Sequence, residues 1–353
     1  MPSSRERCIR AVEREEVDMV PLSLWIEVPE PAGSLMAALN ASDVEDLLKS
    51  LEIDYRGFLP NISWLGIGLR GGYEEGFFTE VDGRRLYRNV FGVVSAFSSN
   101  GRTNMYVKHP LSELNVKDYV FPEPREEDFD KVEKFRKLYD DYCVIGYALQ
   151  PFETACALLG YSKVFKLIVK GAKEVDYVLD KLFSITELQA KMLAEAGVDQ
   201  VYSGDDVGAQ TTMMISPELW RRLLKPRYKR LADLIHKYGA FFHFHSDGWI
   251  EPIIPDLIEI GVDVLDPLQP EAMNVGRIKK LYGDRLSFEG CIGVQTLPLY
   301  KPQDVATEVE NTIKAMGPTG FTLRPCHTIL PETPIENILT LYNVAKKCRR
   351  LAH

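Results

Sequence analysis

The sequence predicts an α/β fold, a (β/α)8 TIM barrel with an insertion after the second strand. Short apolar segments alternate with amphipathic helices along most of the chain, and parallel strands joined by helices define the α/β class. Eight apolar segments can be assigned, the number that closes such a barrel. A doubly wound sheet would want a Gly-rich phosphate turn after the first strand, and none stands there. Gly66, Gly68 and Gly71 match that spacing by letters but follow no clear strand.

Residues 3–16 read as a helix and 18–25 as the first strand. Ser42-Asp-Val-Glu45 has the spacing of a capping box and opens a helix ending near Leu51. Residues 52–58 make the second strand. Residues 61–140 then break the rhythm. Asp82-Gly83 is a hairpin turn signal between 77–81 and 85–90, and a polar helix covers roughly 126–140. This stretch lacks a long apolar segment, so it reads as an insertion in a single domain spanning 1–353.

The rhythm resumes with a third strand at 142–147 and helices at 160–170 and 173–196. The fourth strand is 199–203. A helix opened by Ser216-Pro217 leads to the fifth, 240–244. Helices at 251–260, 274–282 and 302–316 precede strands 262–266, 285–289 and 320–324 or follow them in alternation. A last helix runs over 333–351.

Composition narrows the function. With 42 Lys+Arg against 51 Asp+Glu the net charge is −9, so no cation excess exists to bind a nucleic-acid backbone. No apolar run reaches about 18 residues, which predicts no membrane span. The charged N-terminus lacks a signal-peptide core, which predicts a cytoplasmic protein. The six cysteines (8, 143, 156, 291, 326, 348) are scattered without a CxxC pair. In a reducing compartment a special cysteine is a metal ligand or nucleophile.

Reacting groups of a barrel sit at the C-terminal ends of its strands. The fifth strand ends in His243-Phe-His-Ser-Asp-Gly248, and alternation puts His243, His245 and Asp247 on one face. Two imidazoles and a carboxylate match a divalent metal such as zinc. The eighth strand ends in Arg324-Pro-Cys-His327, where Cys326 offers a thiolate. The alternative for each is bland: histidines at a strand end are often only hydrogen-bonded structure, and a buried cysteine is often a small hydrophobe. The fourth strand ends in Ser203-Gly-Asp-Asp-Val-Gly-Ala-Gln210. Asp205 and Asp206 can ligate, position substrate or shift a proton, or simply cap a loop. Glu153, after the third strand, is a candidate acid. Gln210 and Gln269 are candidate substrate contacts, and Cys291 reads as a wall residue. Trp25 and Tyr202 can line an apolar pocket, although core packing explains either one alone.

Several short motifs occur in order: Arg5-Glu-Arg7 with Asp18-Met-Val-Pro21, Gly204-Asp-Asp-Val-Gly-Ala-Gln210, His245-Ser-Asp-Gly248, Gly261-Val-Asp-Val-Leu-Asp-Pro-Leu-Gln-Pro270 and Pro334-Ile-Glu-Asn337. Together they resemble the uroporphyrinogen decarboxylase superfamily, and more closely its corrinoid-dependent methyltransferase branch. Decarboxylases of that superfamily carry Arg-Gln-Ala-Gly-Arg after the first strand to hold a porphyrinogen's carboxylates. Here Trp25-Ile-Glu-Val-Pro-Glu-Pro31 replaces arginines with acids, which would repel a polycarboxylate. The methyltransferase branch binds zinc through a His-x-Cys pair and a distant Cys. By that resemblance His245 is the histidine ligand, Asp247 takes the first Cys position and Cys326 the second, with His243 as the alternative to Asp247.

A harder His/Asp/Cys set suits polarising an ether oxygen rather than activating a thiol. The resemblance therefore implies a zinc-dependent O-demethylase methyltransferase. It would move methyl from a methoxylated aromatic compound to the Co(I) corrinoid of a partner protein. Glu153, Asp205 or Asp206 would orient substrate or supply a proton, and Trp25, Tyr202, Gln210 and Gln269 would line its site. A homodimer is compatible with this reading. The alternatives are a metal-free decarboxylase-like lyase, a methyltransferase with another donor or a thiol acceptor, and a non-enzymatic tetrapyrrole-binding module.

Overall fold

Seven parallel strands curl into one sheet in chain order. The computed structural model describes residues 2–25, 29–60, 77–81, 84–97 and 104–350. Strand β1 (Tyr55–Phe58) is followed by β2 (Phe77–Val81), β3 (Arg84–Arg88), β4 (Val94–Phe97) and β5 (Asn104–Lys108). Then come β6 (Cys143–Tyr147), β7 (Gln200–Gly204), β8 (Phe241–His245), β9 (Val264–Leu268), β10 (Ser287–Ile292) and β11 (Phe321–Pro325). The parallel sheet has the order β1-β6-β7-β8-β9-β10-β11, and β2 to β5 form a separate four-stranded antiparallel sheet. The expected hairpin is thus present as β2 paired with β3; its Asp82-Gly83 turn, like Gly66, Gly68 and Gly71, lies outside the described residues.

Segment 18–25, expected as the first strand, is not a regular strand. Leu22 makes one isolated bridge with Leu323. Its backbone still reaches both edges of the sheet. Ser23 N–H donates to the Leu323 carbonyl and Leu323 N–H to the Pro21 carbonyl, both at 3.0 Å, while Asp54 N–H donates to the Leu22 carbonyl at 2.9 Å. The segment therefore fills the gap between β11 and β1, giving a TIM-barrel-like ring. Pro21 has no N–H to give a ladder, which shortens the pairing.

Alternation assigns each strand residue to a layer. On β8, Phe242 and Phe244 point outward and are fully buried, packing on Tyr228 of the helix Lys225–Lys237. Each such burial contributes about 1.5–3 kcal/mol. His243 and His245 point inward. The same rule sends Leu265, Phe288 and Leu323 to the helix layer and Asp266, Glu289 and Arg324 into the barrel, all of them buried. Barrel interiors are usually filled by branched apolar chains; this one is charged.

The helix Ser4–Val12 closes the floor. Its Cys8 packs with Tyr55, Cys143 and Ile145, and Arg7 pairs with Asp54 at 2.6 Å and with Asp18 at 2.8 Å. The expected capping box is shifted by one residue. Asp43, not Ser42, caps the helix Val44–Ser50 by accepting from Asp46 N–H, and Asp46 accepts in return from Ser42 N–H at 3.0 Å. A carboxylate at each position makes this register as good as the serine-led one. Among the described residues no helix is long and apolar enough to cross a membrane.

Candidate functional site

The loops after β7 and β8 are joined backbone to backbone. Asp205 N–H donates to the His245 carbonyl at 2.9 Å and Trp249 N–H to the Ala209 carbonyl at 2.7 Å. Asp247 N–H donates to Asp206 Oδ1 at 2.8 Å. Only glycine permits this approach. A Cβ on Gly204 would stand 2.1 Å from the His245 carbonyl oxygen, and one on Gly248, at φ 80°, 2.7 Å from that of Ala209. The motif glycines thus set the spacing of the acids beside them.

That spacing gathers Asp206, His245 and Asp247. One donor atom from each lies within 4.8 Å of the others. His245 Nε2 is 3.4 Å from Asp206 Oδ1, and its Nδ1 is 3.2 Å from Asp266 Oδ2 in the barrel below. Burial would lower the His245 pKa, but hydrogen bonds to Asp206 and Asp266 outweigh it and hold the ring well above the usual range. Burial and the neighbouring Asp206 charge raise Asp247 to about 7. Burial would raise Asp206 too, yet the His245 hydrogen bond and charge keep it low.

The donor set fits a divalent metal. Zinc bonds of about 2.0–2.2 Å place neighbouring ligands about 3.3–3.6 Å apart in a tetrahedron, and the His245–Asp206 separation of 3.4 Å matches. A second group, His243, Asp266 and Glu289, is as compact but does not fit. Arg324 donates to Asp266 and, at 2.6 Å, to Glu289, so a buried cation already occupies both carboxylates. His243 Nδ1 is 2.7 Å from Gln200 Oε1, and its buried Nε2 has no hydrogen-bond partner. His243 therefore belongs to a different group from His245 and Asp247.

The remaining predicted residues divide. Trp25 stacks on His327 with ring centroids 5.3 Å apart and meets Tyr202 and His245 edge-on; with Tyr202, 5.4 Å from the His245 ring, it walls the site. Glu153 borders it. Burial, then the Asp206 and Asp205 charges, raise its pKa well above the usual carboxylate range. Asp205 is turned away from the group. Its fully buried carboxylate accepts from Glu153 N–H at 2.8 Å and from the Tyr228 hydroxyl. Gln269 is buried and accepts from Gly248 N–H at 3.0 Å, shaping the loop. Gln210 is exposed.

Cys326 is buried, with Sγ 3.5 Å from the Leu268 carbonyl, and stands outside both donor groups. Its neighbour His327 faces the mouth instead. The His327 ring is 41% exposed, with Nε2 3.8 Å from Asp247 Oδ2. Sequence reading passed over His327, Asp266, Glu289 and Arg324. The signal for the last three was available: charged residues at inward positions of otherwise apolar strands.

The family profile described as Uroporphyrinogen decarboxylase (URO-D) matches residues 96–348, well over half of the chain. The chain belongs to this family. A uroporphyrinogen decarboxylase of Helicobacter acinonychis (strain Sheeba) is 23% identical over 223 residues, 59% of this chain and 61% of that protein. Uroporphyrinogen decarboxylase 1, chloroplastic, of Oryza sativa subsp. japonica is 26% identical over 172 residues, 45% of this chain and 40% of that protein. The chain thus spans about three fifths or less of the length of these curated relatives. A solved methyltransferase from Methanosarcina mazei has the same fold, with a TM-score of 0.71 at 18% identity over 98% of this chain and 99% of that one. The Asp206/His245/Asp247 group lies at the C-terminal ends of β7 and β8, the end of the strands at which TIM barrels carry their chemistry.

Proposed function

We propose that this member of the family is a metal-dependent methyltransferase that moves methyl from a methoxylated aromatic compound to the Co(I) corrinoid of a partner protein. The observation that carries the reading is the compact Asp206/His245/Asp247 group under an aromatic wall. These three residues would hold zinc. Bound there, zinc supplies Lewis acidity toward an ether oxygen.

The chain's own residues do the rest. Trp25 and Tyr202 would give a flat aromatic donor an apolar wall beside His245. Glu153, kept protonated by burial and by Asp206 and Asp205, holds a proton for the departing phenolate oxygen. The methyl leaves as a cation equivalent, the cobalt nucleophile supplies the electron pair, and the aryl oxygen retains the bonding pair. Asp205 anchors the start of the helix Pro151–Leu159 through Glu153 N–H and so fixes where that proton is held.

A polycarboxylate substrate is disfavoured by Arg324, whose guanidinium is already committed to Asp266, Glu289 and the Pro325 carbonyl. The names of the curated relatives favour a decarboxylase as second reading. The test is to mix zinc-loaded protein with free Co(I) cobalamin and a panel of methoxybenzoates. Zinc-dependent methylcobalamin formation from one of them supports the proposal. Its absence across the panel, with decarboxylation of a porphyrinogen instead, supports the second reading.

A further inference from the structure

A chain of polar contacts runs down the barrel axis from the mouth. Asp206 Oδ1 is 3.4 Å from His245 Nε2, and His245 Nδ1 is 3.2 Å from Asp266 Oδ2. The other Asp266 oxygen accepts from Arg324, which also donates to Glu289. The two carboxylates that flank His245 are unequal. The Asp266 side chain is wholly buried, whereas that of Asp206 is 32% exposed. Asp206 Oδ1 also takes the Asp247 N–H at 2.8 Å.

A neutral imidazole has one N–H to give. The Asp266 oxygen has no exposed surface, so leaving it unmatched is costly, whereas Asp206 has solvent exposure and a backbone donor. The N–H therefore goes to the buried partner. We infer that Asp266 is a positioning residue that holds His245 as the Nδ1–H tautomer, leaving the Nε2 lone pair aimed at the mouth between Asp206 and Asp247. Arg324 makes this possible. It fixes the Asp266 carboxylate from the opposite side through a bond to Oδ1, so Oδ2 can only face the imidazoles. A carboxylate behind a ligating histidine orients the ring and strengthens the ligand. The inference deepens the proposed metal site and rests on that reading, because the neutral ring is the form that a metal binds.

Two measurements test it. In zinc-loaded protein carrying 15N-histidine, a long-range 1H–15N spectrum should show His245 protonated at Nδ1 and bare at Nε2. The opposite tautomer overturns the inference. If zinc does not bind at all, the metal reading fails, and the same spectrum of metal-free protein at a pH where the ring is neutral still decides the tautomer. Second, Asp266→Asn should weaken zinc binding about 10–100-fold with the stoichiometry kept at one. Glu289→Gln disturbs the same Arg324 pairing without touching His245, and should stay far closer to wild type. Equal losses in the two variants would mean that generic loosening of the barrel is responsible, and would overturn the role. Should Asp266→Asn fail to fold, the wild-type spectrum carries the decision.

Discussion

Arg324 on β11 and Asp266 on β9 form an ion pair inside the barrel, with the side chains 3% and 0% exposed. Glu289 on β10 shares the same guanidinium at 2.6 Å, and the Arg324 guanidinium carbon lies 5.3 Å from the Trp25 ring centroid. One cation thus bridges two buried carboxylates.

Arg324→Met should therefore be severe. It leaves Asp266 and Glu289 buried and uncompensated, a loss of about 3–5 kcal/mol. Denaturant unfolding checks this. A variant within about 1 kcal/mol of wild type would mean that the pair is not the anchor of the barrel interior.

Asp54 is a second anchor, at the floor. Its carboxylate accepts from Leu22 N–H at 2.8 Å, Ser4 Oγ at 2.6 Å, Arg7 at 2.6 Å and Arg349 at 3.3 Å. Asp54→Ala should cost about 3–5 kcal/mol, because Arg7 and Arg349 lose their buried partner and keep only Asp18 and Glu52. Amide exchange at Leu22 and Leu323 should accelerate along with global unfolding, because the segment that joins β11 to β1 loses its clamp.

Stability should fall as pH rises toward neutrality. Burial lifts Asp205 to about 7 from its ordinary 3.8, so the native state binds a proton that the unfolded state has released over that window. A raised acid of this kind stabilises fully only below its unfolded pKa, and the contribution is lost as pH climbs to the folded value. Glu153 and Asp247 shift in the same direction. Asp205→Asn, which can still accept from Glu153 N–H, should flatten part of the fall between about pH 4 and pH 7. An unchanged slope would exclude Asp205 as its source.

Zinc affinity should discriminate between the cysteine that follows β11 and the histidine at the end of β8. Cys326→Ser should leave affinity near wild type, because Sγ faces the Leu268 carbonyl. His245→Ala should lower it by more than the roughly 10–100-fold typical of a supporting residue. Titration of metal-free protein checks both. A collapse of affinity in Cys326→Ser would restore the thiolate to the ligand set.

The fold was legible because period-two apolar runs and intervening helices survive in a single sequence. The parallel strands fall where alternation predicts them, within a few residues. Segment 18–25 was harder, since a closing strand with a proline in it pairs by only a few backbone bonds. The helix Pro29–Leu39 had no visible cap and carries two prolines in its first turn, which masked it. At the site, His245, Asp247 and Asp206 were readable as a strand end and its neighbour. Asp205 and Asp206 are adjacent letters with opposite fates, and only the pairing of the two loops decides which faces the mouth. The same holds for Cys326 and His327, where a one-residue step at the end of β11 separates a buried thiol from a ring at the rim.

Zinc-edge anomalous diffraction from crystals of the zinc-loaded protein tests the central claim most directly. One peak bonded to His245 Nε2 and to carboxylate oxygens of Asp206 and Asp247 is the expected result. A peak bonded to Cys326, or none within reach of His245 in crystals that hold zinc elsewhere, would contradict it.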